Sequence, residues 1–300
     1  MPRSLLPLLR LPVLVAALAT FGSVGCKGGS APAKKDAPAD AKAKGSAESP
    51  AKEGKADGAT KKGFVAKGKT KDEGDLKPQY GQTENGDLEA MMKEGKLLED
   101  FCEHTNASLA LPFDVPVVLE DCGEANAFYD PEKHQISMCY ELVEVFAESF
   151  DKHADSEEMA NAQIVGATVF TLYHELGHAL VHIFELPITG KEEDAVDQLA
   201  TLVLLSGGEE GRDQAIDGAE AFLPDEAESD LEELPFWGVH SLGEQRFYNT
   251  LCLVYGENPE DHQGMVEDEY LPRERAEQCP EEFDRVSKAW DTLLGPHFKG

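Results

Sequence analysis

Thr171-Leu172-Tyr173-His174-Glu175-Leu176-Gly177-His178-Ala179 lies within a stretch of helical spacing over 156–186 that Pro187 closes. Residues four apart share one face of a helix, so His174 and His178 can present two imidazoles to a single point. Two histidines and a glutamate are costly to bury in an apolar helix without a partner. A zinc ion is the partner that this spacing suits. In that reading His174 and His178 are ligands, and Glu175 reaches the water that the metal activates and takes its proton. Gly177 costs about 1 kcal/mol relative to Ala in a helix interior; a close approach of backbone or metal would account for it. The competing reading, a pair of satisfied core histidines, is disfavoured by that burial cost.

Two histidines do not complete a site. His182 continues the row one turn on, about 6 Å further along the axis, too far for the same ion on a regular helix. The Gly turn and third His of the metzincins are missing. After Pro187 and Gly190 the chain can reverse into Glu192-Glu193-Asp194-Ala195-Val196-Asp197, the start of a predicted helix over 192–205. Glu193 and Asp197 again share a face. Glu193 would be the third ligand, and Asp197 would accept a hydrogen bond from a ligand imidazole and fix its tautomer. Three protein ligands leave a fourth position for water, the catalytic arrangement. The competing reading of this acidic run is a solvated helix N-terminus, where the dipole favours acids; it weighs more for Glu192 and Asp194 than for Glu193.

Peptide hydrolysis also needs a donor to the tetrahedral oxyanion. The stretch 237–249 offers His240, Tyr248 and Arg246, of which Arg246 is also suited to pairing with Asp197. Tyr173 reads as a packing residue, and His104, His134, His153, His262 and His297 as surface residues.

Outward from this centre, helices and strands both appear. The patterns predict a helix over 86–101, a strand over 115–120, and two strands over 127–129 and 136–140 around the turn Asp130-Pro131. Helices over 141–153 and near 240–255 and 280–294 follow. The folded body is read as one α+β domain over 81–300.

Charge separates this body from what precedes it. Residues 1–80 carry 15 basic and 8 acidic side chains, residues 81–300 carry 12 and 50, and the whole chain is at −31. So acidic a body has no general basic surface for phosphates, which excludes duplex nucleic acid as an expected partner. Residues 1–25 read as an export signal: Arg3 and Arg10, an apolar stretch over 11–21, then Ser23-Val24-Gly25 before Cys26. The apolar stretch is short for a membrane span. Ser-Val-Gly-Cys resembles the bacterial lipoprotein signal, with Ser23 where Leu is usual. That resemblance implies lipidation of Cys26 and a chain anchored to the bacterial cell envelope, at the outer membrane or periplasmic face, by lipid alone. Residues 26–80, rich in Ala, Lys and Gly, read as a disordered tether. Export puts the remaining cysteines in an oxidising compartment. Cys122 with Cys139 and Cys252 with Cys279 are plausible pairs by position, leaving Cys102 free.

His174-Glu-x-x-His178 followed by Glu193-x-x-x-Asp197 on the next helix resembles the gluzincin class of zinc metallopeptidases. Asn126-Ala-Phe-Tyr-Asp-Pro131, then Ile136, is similar to the edge strand and hairpin that lie above the zinc helix in integral-membrane gluzincins. The segment 121–205 and Gln245-Arg-Phe-Tyr-Asn249 resemble more closely a bacterial family described only as metallopeptidases. The resemblance implies a zincin-like (minigluzincin) α+β domain: a small edge-strand sheet over the His-Glu-x-x-His helix, a second ligand helix, and a helical C-terminal part. It implies one zinc ion, a peptide or protein substrate, and pairing of that substrate with the edge strand at Asn126, Ala127 and Phe128. The chain departs from the membrane enzymes in lacking their transmembrane helices and in its short spacing from His178 to Glu193. The alternative is a catalytically inactive zincin-fold lipoprotein that binds zinc or a partner, against which the intact Glu175 argues.

Overall fold

The computed structural model describes residues 69–223 and 240–299. The signal over 1–25, Cys26, the tether up to 68 and Trp237 lie outside the described residues.

One helix organises the rest. Ser156 caps it by accepting a hydrogen bond from Met159 N at 3.2 Å, and α4 then runs for 28 residues over Glu157–Phe184. It ends at Glu185, which is left-handed (φ 52°), with Leu186 N bonded back to Val181 O before Pro187. Every residue from Gly166 to Gly177 is buried, as expected of a helix that is apolar all round.

A four-stranded sheet packs on its C-terminal half. The strands are β1 (Leu76–Tyr80), β2 (Val115–Glu120), β3 (Ala127–Asp130) and β4 (Gln135–Cys139), in the order β1-β2-β4-β3. The first three in space are parallel, and β3 is an antiparallel edge with Ala127 opposite Met138 and Tyr129 opposite Ile136. Pro116 precedes the first β2–β4 pair, Val117 with Ile136, so its missing N–H does not interrupt that ladder. In the hairpin turn Asp130 Oδ1 accepts from Glu132 N and Lys133 N, and His134 takes φ 54° to re-enter the sheet.

Strand β1 corrects the expected domain boundary at 81: residues 76–80 belong to the sheet and not to the tether. The predicted helix over 86–101 is two helices, α1 (Gly86–Glu94) and α2 (Leu97–Ser108), broken at Gly95 and the left-handed Lys96. Then come α3 (Tyr140–Phe150), α5 (Glu192–Leu205), the unpredicted α6 (Glu209–Ala221), α7 (Gly243–Glu257), the short α8 (Gly264–Glu267) and α9 (Arg273–Ala276), and α10 (Cys279–Leu294). Disulfides join Cys122 to Cys139 and Cys252 to Cys279, the second linking α7 to α10. Cys102 is a free, buried thiol on α2, and burial pushes its pKa up to about 12. Among the described residues no helix is long and apolar enough to cross a membrane.

Helices α5 and α6 both lie against α4, and glycines set how closely. A Cβ added to Gly177 would fall 2.7 Å from Val196 Cβ on α5, and one added to Gly218 of α6 would fall 2.2 Å from Phe170 Cγ on α4. The α4–α5 contact brings the two acidic positions of α5 up to the two histidines of α4.

Candidate metal centre

His174 Nε2 and His178 Nε2 are 3.3 Å apart, and Glu193 Oε2 lies 3.3 Å from the first and 3.4 Å from the second. Ligand atoms about 2.0–2.1 Å from a tetrahedral zinc stand about 3.3–3.4 Å from one another. The three donors therefore already hold the spacing of one tetrahedral face. Glu193 Oε2 is buried and makes no aligned hydrogen bond, although His240 Nε2 also approaches it to 2.9 Å. A buried carboxylate oxygen facing imidazole nitrogens without bonding them is suited to a cation. The residues fit a metal ion, and a His/His/Glu set is the chemistry that zinc accepts.

Each histidine is held from behind. His174 Nδ1 is 2.6 Å from Asp197 Oδ1, and Arg246 clamps that aspartate with Nε to Oδ2 at 2.7 Å and Nη2 to Oδ1 at 2.8 Å. The Arg246 guanidinium also lies 3.9 Å over the Phe222 ring. His178 Nδ1 is 2.8 Å from Glu192 Oε1. Glu192, although about half exposed at the helix start, thus stands behind the second imidazole as Asp197 stands behind the first. The sequence contained the residue but no signal for the pairing, which depends on where the 187–191 connection sets down the first turn of α5.

Burial favours neutral groups here, and the partners oppose it. Burial would lower the His174 pKa, but Asp197 and Glu193 outweigh it and raise it to about 9. His178 is likewise raised by Glu193 and Glu192 against its burial. Burial would raise Asp197, yet His174 and Arg246 hold it at about 2. For Glu193 the imidazoles of His174, His178 and His240 overcome burial and keep the carboxyl far below the usual range. Glu175 is the exception. Burial raises it, and His174, His178 and the Tyr129 backbone N–H only partly offset this. Its Oε1 is 4.0 Å from His174 Nε2, beside the donors without joining them.

Other expected site residues are distributed around this centre. His240 is about half exposed at its rim, its ring 6.4 Å from that of His174. Tyr248, on α7, lines a neighbouring open cavity with Asp194, Ser241, Glu244, Gln245 and Asn249. Asn126 precedes β3, and its Oδ1 accepts from Ala127 N. Ala127 and Phe128 lie on β3, the sheet edge that packs on α4. Tyr173 packs edge-on against Phe101, in keeping with a packing residue.

His182 stands clear of the donors. Its Nδ1 and that of His134 lie 3.0 and 3.1 Å from the Tyr129 hydroxyl. Three histidines expected at the surface are buried: His104, His262 and His297. His297 stacks on Phe184 at 3.7 Å with Nδ1 2.6 Å from Thr70 Oγ1, because the C-terminal segment packs back along α4.

An α+β fold led by one buried helix brings two histidines and a carboxylate to one point, where they could hold a metal ion. Residues 79–294 match the family described as "Putative metallopeptidase", and the chain belongs to that family. No curated protein and no solved structure matches it.

Proposed function

We propose that this chain is a zinc-dependent peptidase of the gluzincin type, with His174, His178 and Glu193 as ligands and Glu175 as general base. The observation that carries the reading is the 3.3–3.4 Å triangle of donors with Glu175 set just outside it. A zinc ion held there supplies Lewis acidity toward the substrate carbonyl and an attacking water. Glu175, just outside the donor triangle, would take the proton of the attacking water and pass it to the leaving amine. Asp197 and Glu192 keep each imidazole in one tautomer with Nε2 forward. Arg246 holds Asp197 ionised. His240 stands at the rim as the nearest donor to a developing oxyanion, with Tyr248 a second candidate further out. An extended substrate would run along β3 at Asn126, Ala127 and Phe128.

The setting is proposed as the bacterial envelope. The signal-like segment over 1–25, Cys26 and the tether support a lipid-anchored, exported chain, and the two disulfides accord with an oxidising compartment. The folded body, from about the start of β1 onward, would be the catalytic domain.

The deciding experiment measures metal content and peptide-library cleavage of the wild type beside Glu193→Ala. About one zinc per chain, lost in Glu193→Ala together with cleavage, supports the reading. A wild type that takes up no zinc after reconstitution would sink it. Zinc uptake with no cleavage of any peptide would leave the alternative of a zinc-binding module.

A further inference from the structure

Beside the metal centre lies an open cavity of about 380 Å³ lined by Asp194, Ser241, Glu244, Gln245, Tyr248 and Asn249. Its position follows from the sequence neighbours of the site. Asp194 is the residue after the ligand Glu193 on α5. Ser241 follows His240, which touches Glu193 Oε2. Gln245 flanks Arg246, the residue that clamps Asp197. The cavity thus borders the donor cluster through the chain neighbours of Glu193, His240 and Arg246, within reach of a neighbouring side chain of one extended peptide.

The lining has a definite chemistry. Two carboxylates, Asp194 and Glu244, face the cavity. Asp194 Oδ1 accepts from Ser241 Oγ at 2.6 Å, and neither carboxylate is ion-paired among the described residues. The cations carried by the same elements are engaged elsewhere: Arg246 on Asp197, and Lys191 Nζ on the His240 carbonyl at 3.3 Å. Tyr248 offers a partly exposed ring (38%), a flat surface for a guanidinium or an alkyl-ammonium stem. The amides of Gln245 and Asn249 add further polar groups. No third carboxylate, imidazole or thiol converges on Asp194 and Glu244 among the described residues, so the arrangement does not suit a bare metal cation. The wider surface has the same sign, with 50 acidic against 12 basic residues over 81–300, which draws cationic chains toward the cleft.

We infer that this cavity is a side-chain subsite and that the peptides recognised at the metal centre carry an arginine or lysine that enters it. The inference rests on the peptidase reading above for the route by which a peptide arrives.

Binding tests it apart from turnover. The full chain carrying Glu175→Gln and loaded with zinc is titrated with acetyl-capped alanine hexapeptides that differ only in one central residue: Arg, Gln or Glu. The Arg peptide should bind best, by roughly tenfold over Gln, as for one hydrogen-bonded charge. Adding Glu244→Gln should remove most of that preference, and Glu244→Lys should turn it toward the Glu peptide. Equal binding of the three peptides, no binding of any, or an Arg preference that survives both substitutions overturns the subsite. So does displacement of the Arg peptide by millimolar calcium, which would mark a cation site. Cleavage by the unsubstituted chain reports separately. An Arg preference without cleavage keeps the subsite and removes the peptidase; cleavage without preference does the reverse.

Discussion

Gly177 of α4 faces Val196 of α5 so closely that a Cβ at position 177 would sit 2.7 Å from Val196 Cβ and 3.3 Å from its Cα. Val196 lies between Glu193 and Asp197 on α5, so this contact sets the depth at which both acids meet His174 and His178. Gly177→Ala should force α5 outward, destabilising the fold by about 1–3 kcal/mol through overpacking despite the better helix propensity of Ala. It should also weaken zinc binding, because the donor triangle opens. Denaturant melts and a competitive zinc titration check this; an unchanged metal affinity would show that helix spacing does not govern the site.

Glu175→Gln should leave zinc content near that of the wild type and reduce turnover by about 10²–10⁴-fold, the usual worth of a positioned acid–base group. His174→Ala should lose both metal and turnover. Loss of zinc from Glu175→Gln would contradict the division of roles.

The carboxylates behind the imidazoles should rank unequally. Asp197→Asn and Glu192→Gln should each lower zinc affinity by about 10–100-fold. Asp197→Asn should in addition destabilise the protein, since it strips Arg246 of its partner in a mostly buried position. Glu192 is largely exposed and its loss should be nearly neutral for stability. Paired thermal melts and zinc titrations of the two variants would reveal a reversed order.

Asp217 on α6 should give the fold a pH dependence of its own. Burial, with Glu220 and Asp213 nearby, pushes its carboxyl up to about 8 from an ordinary 3.8. The folded chain then holds a proton that the unfolded chain releases between those values, so stability falls as pH rises through that window. Asp217→Asn should match wild type near pH 4 and exceed it at pH 8 by on the order of 5 kcal/mol. Melting curves across pH test this, and a pH-independent difference would rule out the titration.

Much of this architecture was legible in the chain because its signals were strong. The strand over 115–120, the helix over 192–205 and the Ser156 and Pro187 ends of α4 all carry period, cap or breaker residues. What was missed lacked such signals. Helix α6 buries Gly211, Gln214, Ala215, Gly218 and Ala219, so its inward face is small and partly polar rather than hydrophobic, and its period is invisible. Strand β1 contains Pro78 and Lys77 beside a Lys-rich tether; as an edge strand it tolerates both. At the site, helical spacing put His174 with His178 and Glu193 with Asp197 on shared faces, and a chain reversal after Pro187 joined the two pairs; Arg246 was one of three candidates in its stretch and had no diagnostic spacing. Glu192 needed the path of the 187–191 connection, and the buried His297 needed the course of the C-terminal segment; neither is a local property of sequence.

The three proposed ligands come from two helices that are consecutive in the chain, with His178 and Glu193 only 15 positions apart (193 − 178). A resident ion would therefore act as a cross-link, closing a loop about as short as the 17 residues between Cys122 and Cys139 and shorter than the 27 between Cys252 and Cys279. This staple, unlike the two covalent ones, would be removable: its contribution would follow free zinc concentration by mass action. The melting temperature of this protein would then report the metal supply of its surroundings, and a chelator would loosen the fold as it silenced the site.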